Sequence, residues 1–555
     1  MLCSDHLKQM HIEDFDDYEP EDDLGRIEYK LKLSPRPTEE RLEKLASQMA
    51  FRLREGDGEA IYELGIADSG EVIGLSPEEF SESVTVLHEV ADRTNADITL
   101  LRETQVSMKS DKRVAEFLIR FKPQERASYP LEISVATIGN VDSGKSTLIG
   151  TLISGRLDDG EGSNAILVAR HQHEVESGRT SSISTRLLGF DSTGAVVNHR
   201  RPQPTQQELI HRSAKLIRFI DLAGHEKYLK TTIYGLSGAE PDYACVVVDG
   251  NRGVQRMSRE HLGLAALALK IPIFLVLTKK DMSPPHMWKK HLKDLKKLLK
   301  SPGLNMIPSQ VRDMDDVAVI SRKLHAGRLA PIFTLSSLTG EGFDLLKAFL
   351  NLLKKPPRWG IEREEFQNHS ASDPFLLFID EIFNVTGVGK VVSGIVQSGL
   401  AIPGMGVILG PDKRGGFANV RLRSIQSQRV QLKQALPGDY VSFALAFKGK
   451  PIRITKGQVL TTYNPYKAVT RFEAEVFVLH HPSTLRPNYN AQIHLKTIRS
   501  QAKVVQIYDK ERLRSGDRAR VLFEFIYSPQ FLLEGFKFVF REGRTKGIGV
   551  VKKLY

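Results

Sequence analysis

The sequence predicts a doubly wound α/β domain with a mostly parallel sheet. Two β-barrel domains follow it, and a small α/β module precedes it. Three observations carry that reading. Apolar runs at 133–138, 216–220, 245–248, 273–277 and 332–335 alternate with amphipathic stretches, and each run is continuous, as in strands buried on both faces. The first run leads into a glycine-rich loop that opens a helix. Beyond residue 371 helical periodicity vanishes, and short strands punctuated by Gly and Pro suit two barrels of about 90 residues each.

In chain order, residues 1–25 lack apolar periodicity and read as a disordered acidic tail. The module spans 26–125. Residues 27–33 alternate like a half-buried strand, 38–54 and 77–94 look helical, and 60–65, 98–101 and 115–121 read as strands. No catalytic constellation is visible there. The doubly wound domain occupies 130–353. A linker, 354–371, opens with Lys354-Lys355-Pro356-Pro357. The barrels take 372–465 and 466–555.

Composition excludes several classes. The chain has 555 residues, of which 41% are hydrophobic and 26% charged, an ordinary balance for a multidomain globular protein. Its two cysteines, Cys3 and Cys245, rule out a disulfide framework and a multi-cysteine zinc site. No apolar run is long enough to span a bilayer, and no signal segment opens the chain, so the expectation is no membrane and a cytoplasmic location. Residues 1–28 carry a net charge of −8 within a total of +11, which leaves +19 on the rest. An acidic tail before a basic body fits a nucleic-acid partner, and fits equally a solubilising tail on a basic surface. The lysine-rich helix at 288–300 is similarly open to RNA contact or to plain solvation.

The strongest chemical signal is Gly139-Asn140-Val141-Asp142-Ser143-Gly144-Lys145-Ser146, followed by Thr147. Backbone N–H groups of such a loop cradle phosphates, Lys145 neutralises the β and γ oxygens, and Ser146 can ligate Mg²⁺. Asp221-Leu222-Ala223-Gly224-His225 ends the second run. Asp221 can hold the ion through water, Gly224 can offer its N–H to a γ-phosphate, and His225 can orient the attacking water. Thr278-Lys279-Lys280-Asp281 closes the fourth run. The Asp281 carboxylate can accept from N1–H and the 2-amino group of guanine, a donor pair that adenine lacks. Thr278 and Lys279 complete that contact, and the backbone of Ser336, Ser337 and Leu338 can reach the guanine O6. Between loop and Asp221 lies a long segment with Thr180-Ser181-Ser182. One of these hydroxyls could meet the metal only when a γ-phosphate is present; Thr180 is the choice, with Ser181 and Ser182 as competitors.

Together these motifs resemble the translational GTPases of the elongation factor Tu superfamily, and more specifically the family of GTP-binding proteins 1 and 2. Gly387-Val388-Gly389-Lys390-Val391-Val392-Ser393-Gly394 resembles the opening of that superfamily's second domain. His480-His481-Pro482, Arg486-Pro487 and the stretch Arg541-Glu542-Gly543-Arg544-Thr545-Lys546-Gly547 resemble its third. The resemblance implies a P-loop GTPase that binds GTP or GDP with Mg²⁺, with His225 as the catalytic histidine. It implies a monomer acting with ribosomes and aminoacyl-tRNA, in stalled-ribosome handling or mRNA turnover with its decay factors. The sequence departs from the pattern at Thr278, where Asn is usual, at Ser337 for Ala, at Lys390 for Thr, and at Arg179, where elongation factor Tu has an apolar residue. The alternative is a signalling switch that docks proteins through its barrels; the basic body argues against it.

Overall fold

In the computed structural model the described residues are 21, 25–107, 110–123, 130–172, 174, 180–324, 328–356, 373–447, 453–463, 467–480, 484–542 and 545–555. Most of the acidic tail, the linker from 357 to 371, and Gly178, Arg179, His481, Pro482, Gly543 and Arg544 lie outside them.

The N-terminal module is a four-stranded sheet of β1 (Ile27–Lys30), β2 (Glu59–Leu64), β3 (Ala96–Ser107) and β4 (Ser110–Phe121), ordered β1-β2-β4-β3. Helices Glu39–Glu55 and Pro77–Arg93 cover one face. Each starts on a side-chain cap: Thr38 accepts from the Arg41 N–H, and Ser76 and Glu79 form a reciprocal capping box ahead of Pro77. Strand alternation divides the sheet between two cores. Ala60, Tyr62, Leu64, Phe117 and Ile119 face the helices. Ile61 and Leu118 face the other way and join the core of the next domain.

That contact is sealed by charge. Glu59 is 1% exposed. It accepts from Arg120 at 2.8 and 3.1 Å, from Lys215 at 3.1 and 3.2 Å, and from Arg26. Arg120 and Lys215 then donate to Asn351 near the end of the doubly wound domain, at 2.6 to 2.8 Å.

The central sheet holds β5 (Leu131–Gly139), β6 (Ser184–Phe190), β7 (Lys215–Asp221), β8 (Tyr243–Asp249), β9 (Ile273–Thr278), β10 (Ile307–Gln310) and β11 (Leu329–Thr334). Its order is β10-β11-β9-β8-β5-β7-β6, parallel except for the β6 edge. The strands β6 and β10 go beyond the sequence reading. Both are edge strands, each paired on one side only. The register sets Thr137 of β5 beside Asp221 of β7, and Asp249 of β8 beside Thr278 of β9. The loops carrying the chemical motifs therefore leave one sheet edge together. The helix Pro285–Leu299 buries Leu295 and Leu299, and most of its lysines face outward.

Two antiparallel barrels follow. The first closes where Gly406–Gly410 pairs with Ala418–Ser427, and the second where Arg471–His480 pairs with Thr545–Leu554. Phe378 of the first packs edge-on against Phe536 of the second at 5.9 Å, so the barrels share a core. Both hold the helix Leu229–Gly238 and its end. Tyr234 donates to Asp380 at 2.7 Å; Glu240 accepts from Gln397 at 3.0 Å and from Lys496 at 2.7 Å. Among the described residues no helix is long and apolar enough to cross a membrane.

Candidate nucleotide-binding site

The carboxyl ends of β5, β7, β8 and β9 open into a cleft of about 380 Å³. Most residues singled out in the sequence line it: Val141, Asp142, Gly144, Lys145, Ser146, Thr147, Thr180, Gly224, His225, Thr278, Lys279, Asp281, Ser337 and Leu338. The phosphate loop turns through Gly144, whose φ of +86° favours glycine, and the helix Lys145–Ser154 then points its first N–H groups into the cleft. Lys145 is buried, and its Nζ donates to the Asn140 carbonyl at 2.7 Å. Burial lowers its pKa, against the pull of Asp221. Ser143 Oγ also donates to Asn140, at 2.9 Å, and the Asn140 side chain donates to Gln255. Gly224 presses on this loop. A Cβ there would stand 2.6 Å from the Lys145 amine and 2.7 Å from the Gly139 carbonyl.

Three oxygen-bearing side chains converge beside Lys145. Ser146 Oγ donates to Asp221 Oδ2 at 2.6 Å and lies 3.0 Å from Thr180 Oγ1, which is itself 3.4 Å from Asp221 Oδ2. The other Asp221 oxygen, Oδ1, is buried with no hydrogen-bond partner. A buried orphaned carboxylate oxygen flanked by two hydroxyls suits a hard cation or its bound water. Burial raises the Asp221 pKa, and Lys145, Ser146 and Thr180 oppose the rise. His225 sits half-buried at the cleft edge. Its Nδ1 accepts from the Lys227 N–H at 3.0 Å, so the neutral ring carries its proton on Nε2.

At the other end, the Thr278 hydroxyl donates to the Ser143 carbonyl at 2.8 Å and to the Val248 carbonyl at 3.2 Å. It ties the end of β9 to the glycine-rich loop and to β8. Lys279 donates to the Asp142 carbonyl at 2.7 Å and to Asp249 at 2.9 Å, which lays its stem along the cleft. Ser336 is fully buried and accepts from the Thr339 N–H at 3.1 Å, so it shapes the turn that presents Ser337 and Leu338.

The matches to known sequences agree with this geometry. The elongation factor Tu GTP binding domain matches residues 132–355, and the elongation factor Tu C-terminal domain matches residues 465–555. GTP-binding protein 2 of Mus musculus is 42% identical over 96% of this chain and 87% of its own. The chain belongs to the family of GTP-binding proteins 1 and 2. GTP-binding protein 1 of Xenopus laevis is 43% identical over 93% of this chain and 77% of its own. Among solved structures, translation elongation factor SelB from Methanococcus maripaludis with a GTP analogue overlays with a TM-score of 0.53. At 18% identity, over 77% of this chain and 80% of that one, it shares the fold. Membership of the family makes the protein a GTPase of the elongation factor Tu type, which binds GTP and GDP.

Several residues of this GTPase site escaped the sequence reading. Asp158, Gly160, Glu161, Gly162 and Ala165 form a further wall of the cleft. Asp158 organises it, accepting from the Gly160, Gly162 and Asn164 N–H groups at 3.0 to 3.2 Å. The string Asp158-Asp159-Gly160-Glu161-Gly162 was a readable turn signal. His261, which accepts from the Gly139 N–H at 3.3 Å behind the loop, carried no such signal.

Proposed function

We propose that this GTPase is a translation factor that is activated on the ribosome and engages tRNA, with a cytoplasmic place of action. The observation that carries the proposal is the mounting of His225. It stands at the cleft edge, four residues before the helix that both barrels grip through Tyr234 and Glu240. Displacement of the barrels by a large partner thereby reaches the nucleotide. Lys145 and the loop N–H groups bind the phosphates. Ser146 and Thr180 are assigned to Mg²⁺ directly, and Asp221 through water. Held there, Mg²⁺ would neutralise developing charge on the phosphates. Thr180 is the best placed of the three candidate hydroxyls, since its Oγ1 contacts Ser146 and Asp221 while those of Ser181 and Ser182 donate to Glu174. Asp281 at the cleft's far end selects guanine. His225 orients the attacking water from its edge position.

The relatives named as elongation factors, SelB and elongation factor 1-alpha of Thermoplasma acidophilum, support the translational reading. The +19 body supports an RNA partner. The test is GTP turnover by the protein alone, with ribosomes, with aminoacyl-tRNA, and with both. Ribosomes should raise the rate by about 10³ or more, and His225→Ala should remove about 10² or more of that gain. A rate indifferent to ribosomes, with guanine nucleotide still bound, would give the field to a protein-docking switch. A further gain with tRNA marks delivery; its absence marks a rescue or decay role.

A further inference from the structure

The segment that carries Thr180 hangs on one side chain. Glu174 is 4% exposed, and its carboxylate gathers six donors. Oε1 accepts from the Ser181 N–H at 2.7 Å, the Ser181 hydroxyl at 2.9 Å, the Ser182 N–H at 2.9 Å and the Ser182 hydroxyl at 3.0 Å. Oε2 accepts from the Arg170 N–H at 2.9 Å and the His171 N–H at 3.2 Å. Backbone at 170–171 and at 181–182 is thus held by the two oxygens of one carboxylate, with Ser181 and Ser182 lying 7 and 8 residues away. Only an ionised carboxylate offers this many acceptor positions and no donor. Burial would raise the Glu174 pKa, but the Ser181, Arg170 and Ser182 N–H groups outweigh it and hold the value at about 2.

The arrangement also sorts the three neighbouring hydroxyls. Those of Ser181 and Ser182 turn to Glu174, and that of Thr180 turns to Ser146 and Asp221. We infer that Glu174 is a positioning residue for nucleotide discrimination: it holds 181–182 so that Thr180 is presented to the ligand set used with GTP. The inference rests on the assignment of Thr180 to Mg²⁺ proposed above. A hydroxyl that meets the metal only beside a γ-phosphate affects GTP and leaves GDP alone.

Glu174→Gln is the informative substitution. It keeps the length of the side chain and turns one acceptor into a donor facing N–H groups. Release of fluorescent GTP and GDP analogues is measured on the full chain at saturating Mg²⁺, with hydrogen exchange at the Ser181 and Ser182 amides. The variant should release GTP about 10- to 100-fold faster, the worth of one or two charge-assisted hydrogen bonds, and GDP within about twofold of the parent. Exchange at both amides should rise. Thr180→Ala should show the same GTP defect without the faster exchange, and the double variant should be no worse than Thr180→Ala. If Thr180→Ala speeds GTP release and Glu174→Gln does not, the positioning role is overturned while the metal assignment stands. If Glu174→Gln speeds both nucleotides alike, its role is structural only and the inference is overturned. If Thr180→Ala has no effect, the underlying metal assignment fails.

Discussion

Glu59→Ala should loosen the joint between the N-terminal module and the GTPase domain. Arg120 and Lys215 are both fully buried, and Arg26 is nearly so. Removing Glu59 would leave three cations in one dry place with no counter-charge. Deleting one partner of a buried ion pair costs about 3–5 kcal/mol, because the other charge stays behind. Lys215→Met is the counterpart. It removes the most strained member, a lysine whose pKa burial pulls well down against the attraction of Glu59. Glu59 keeps both arginines, so this change should cost under about 2 kcal/mol. Urea unfolding followed by fluorescence gives both numbers from the first transition. If Glu59→Ala costs under about 1 kcal/mol, or if the two variants cost the same, the charge cluster does not weld the domains. The acid limb gives a second check. Burial alone would raise the Glu59 pKa, but Lys215, Arg26 and Arg120 hold it well below the ordinary 4.5. Its stabilisation is complete above that value and lost as the pH falls below it.

Two further outcomes follow from the geometry. Gly224→Ala puts a methyl group against the Lys145 amine and the Gly139 carbonyl, so the loop must shift by several tenths of an ångström; GTP turnover should fall about 10²-fold, and a variant within twofold of the parent would contradict the close approach. Burial, then the charges of Arg499, Arg541 and Lys230, lower the His494 pKa from 6.5 to about 4. Stability should therefore be full above pH 6.5 and decline as the pH falls toward 4, and His494→Phe should flatten that slope in a pH series of unfolding midpoints.

The parts legible in the sequence were those with a short-range signature. The parallel strands read as continuous apolar runs because both faces of the sheet are covered. The phosphate loop, Asp221 and the Thr278–Asp281 stretch read from spacing, since one turn must place several groups on one ligand. β6 was not legible as an edge strand, for Ser184-Thr185-Arg186 carries little apolar signal. The joint at Glu59 was not legible either. Its members come from positions 26, 59, 120, 215 and 351, and nothing local distinguishes a glutamate facing solvent from one facing three cations. The role of Glu174 stayed hidden for the same reason: its donors are mostly backbone N–H groups, which every sequence has.

The helix Leu229–Gly238 has a mechanical consequence. It works as a lever with unequal arms. The short arm ends at His225, beside the cleft. The long arm is bolted at Tyr234 to one barrel and, just past its end, at Glu240 to both. The barrels share a phenylalanine core and turn as one load. Both barrels are thus joined to the His225 loop through this one helix, whose buried Leu229 and Ile233 lie on the GTPase side.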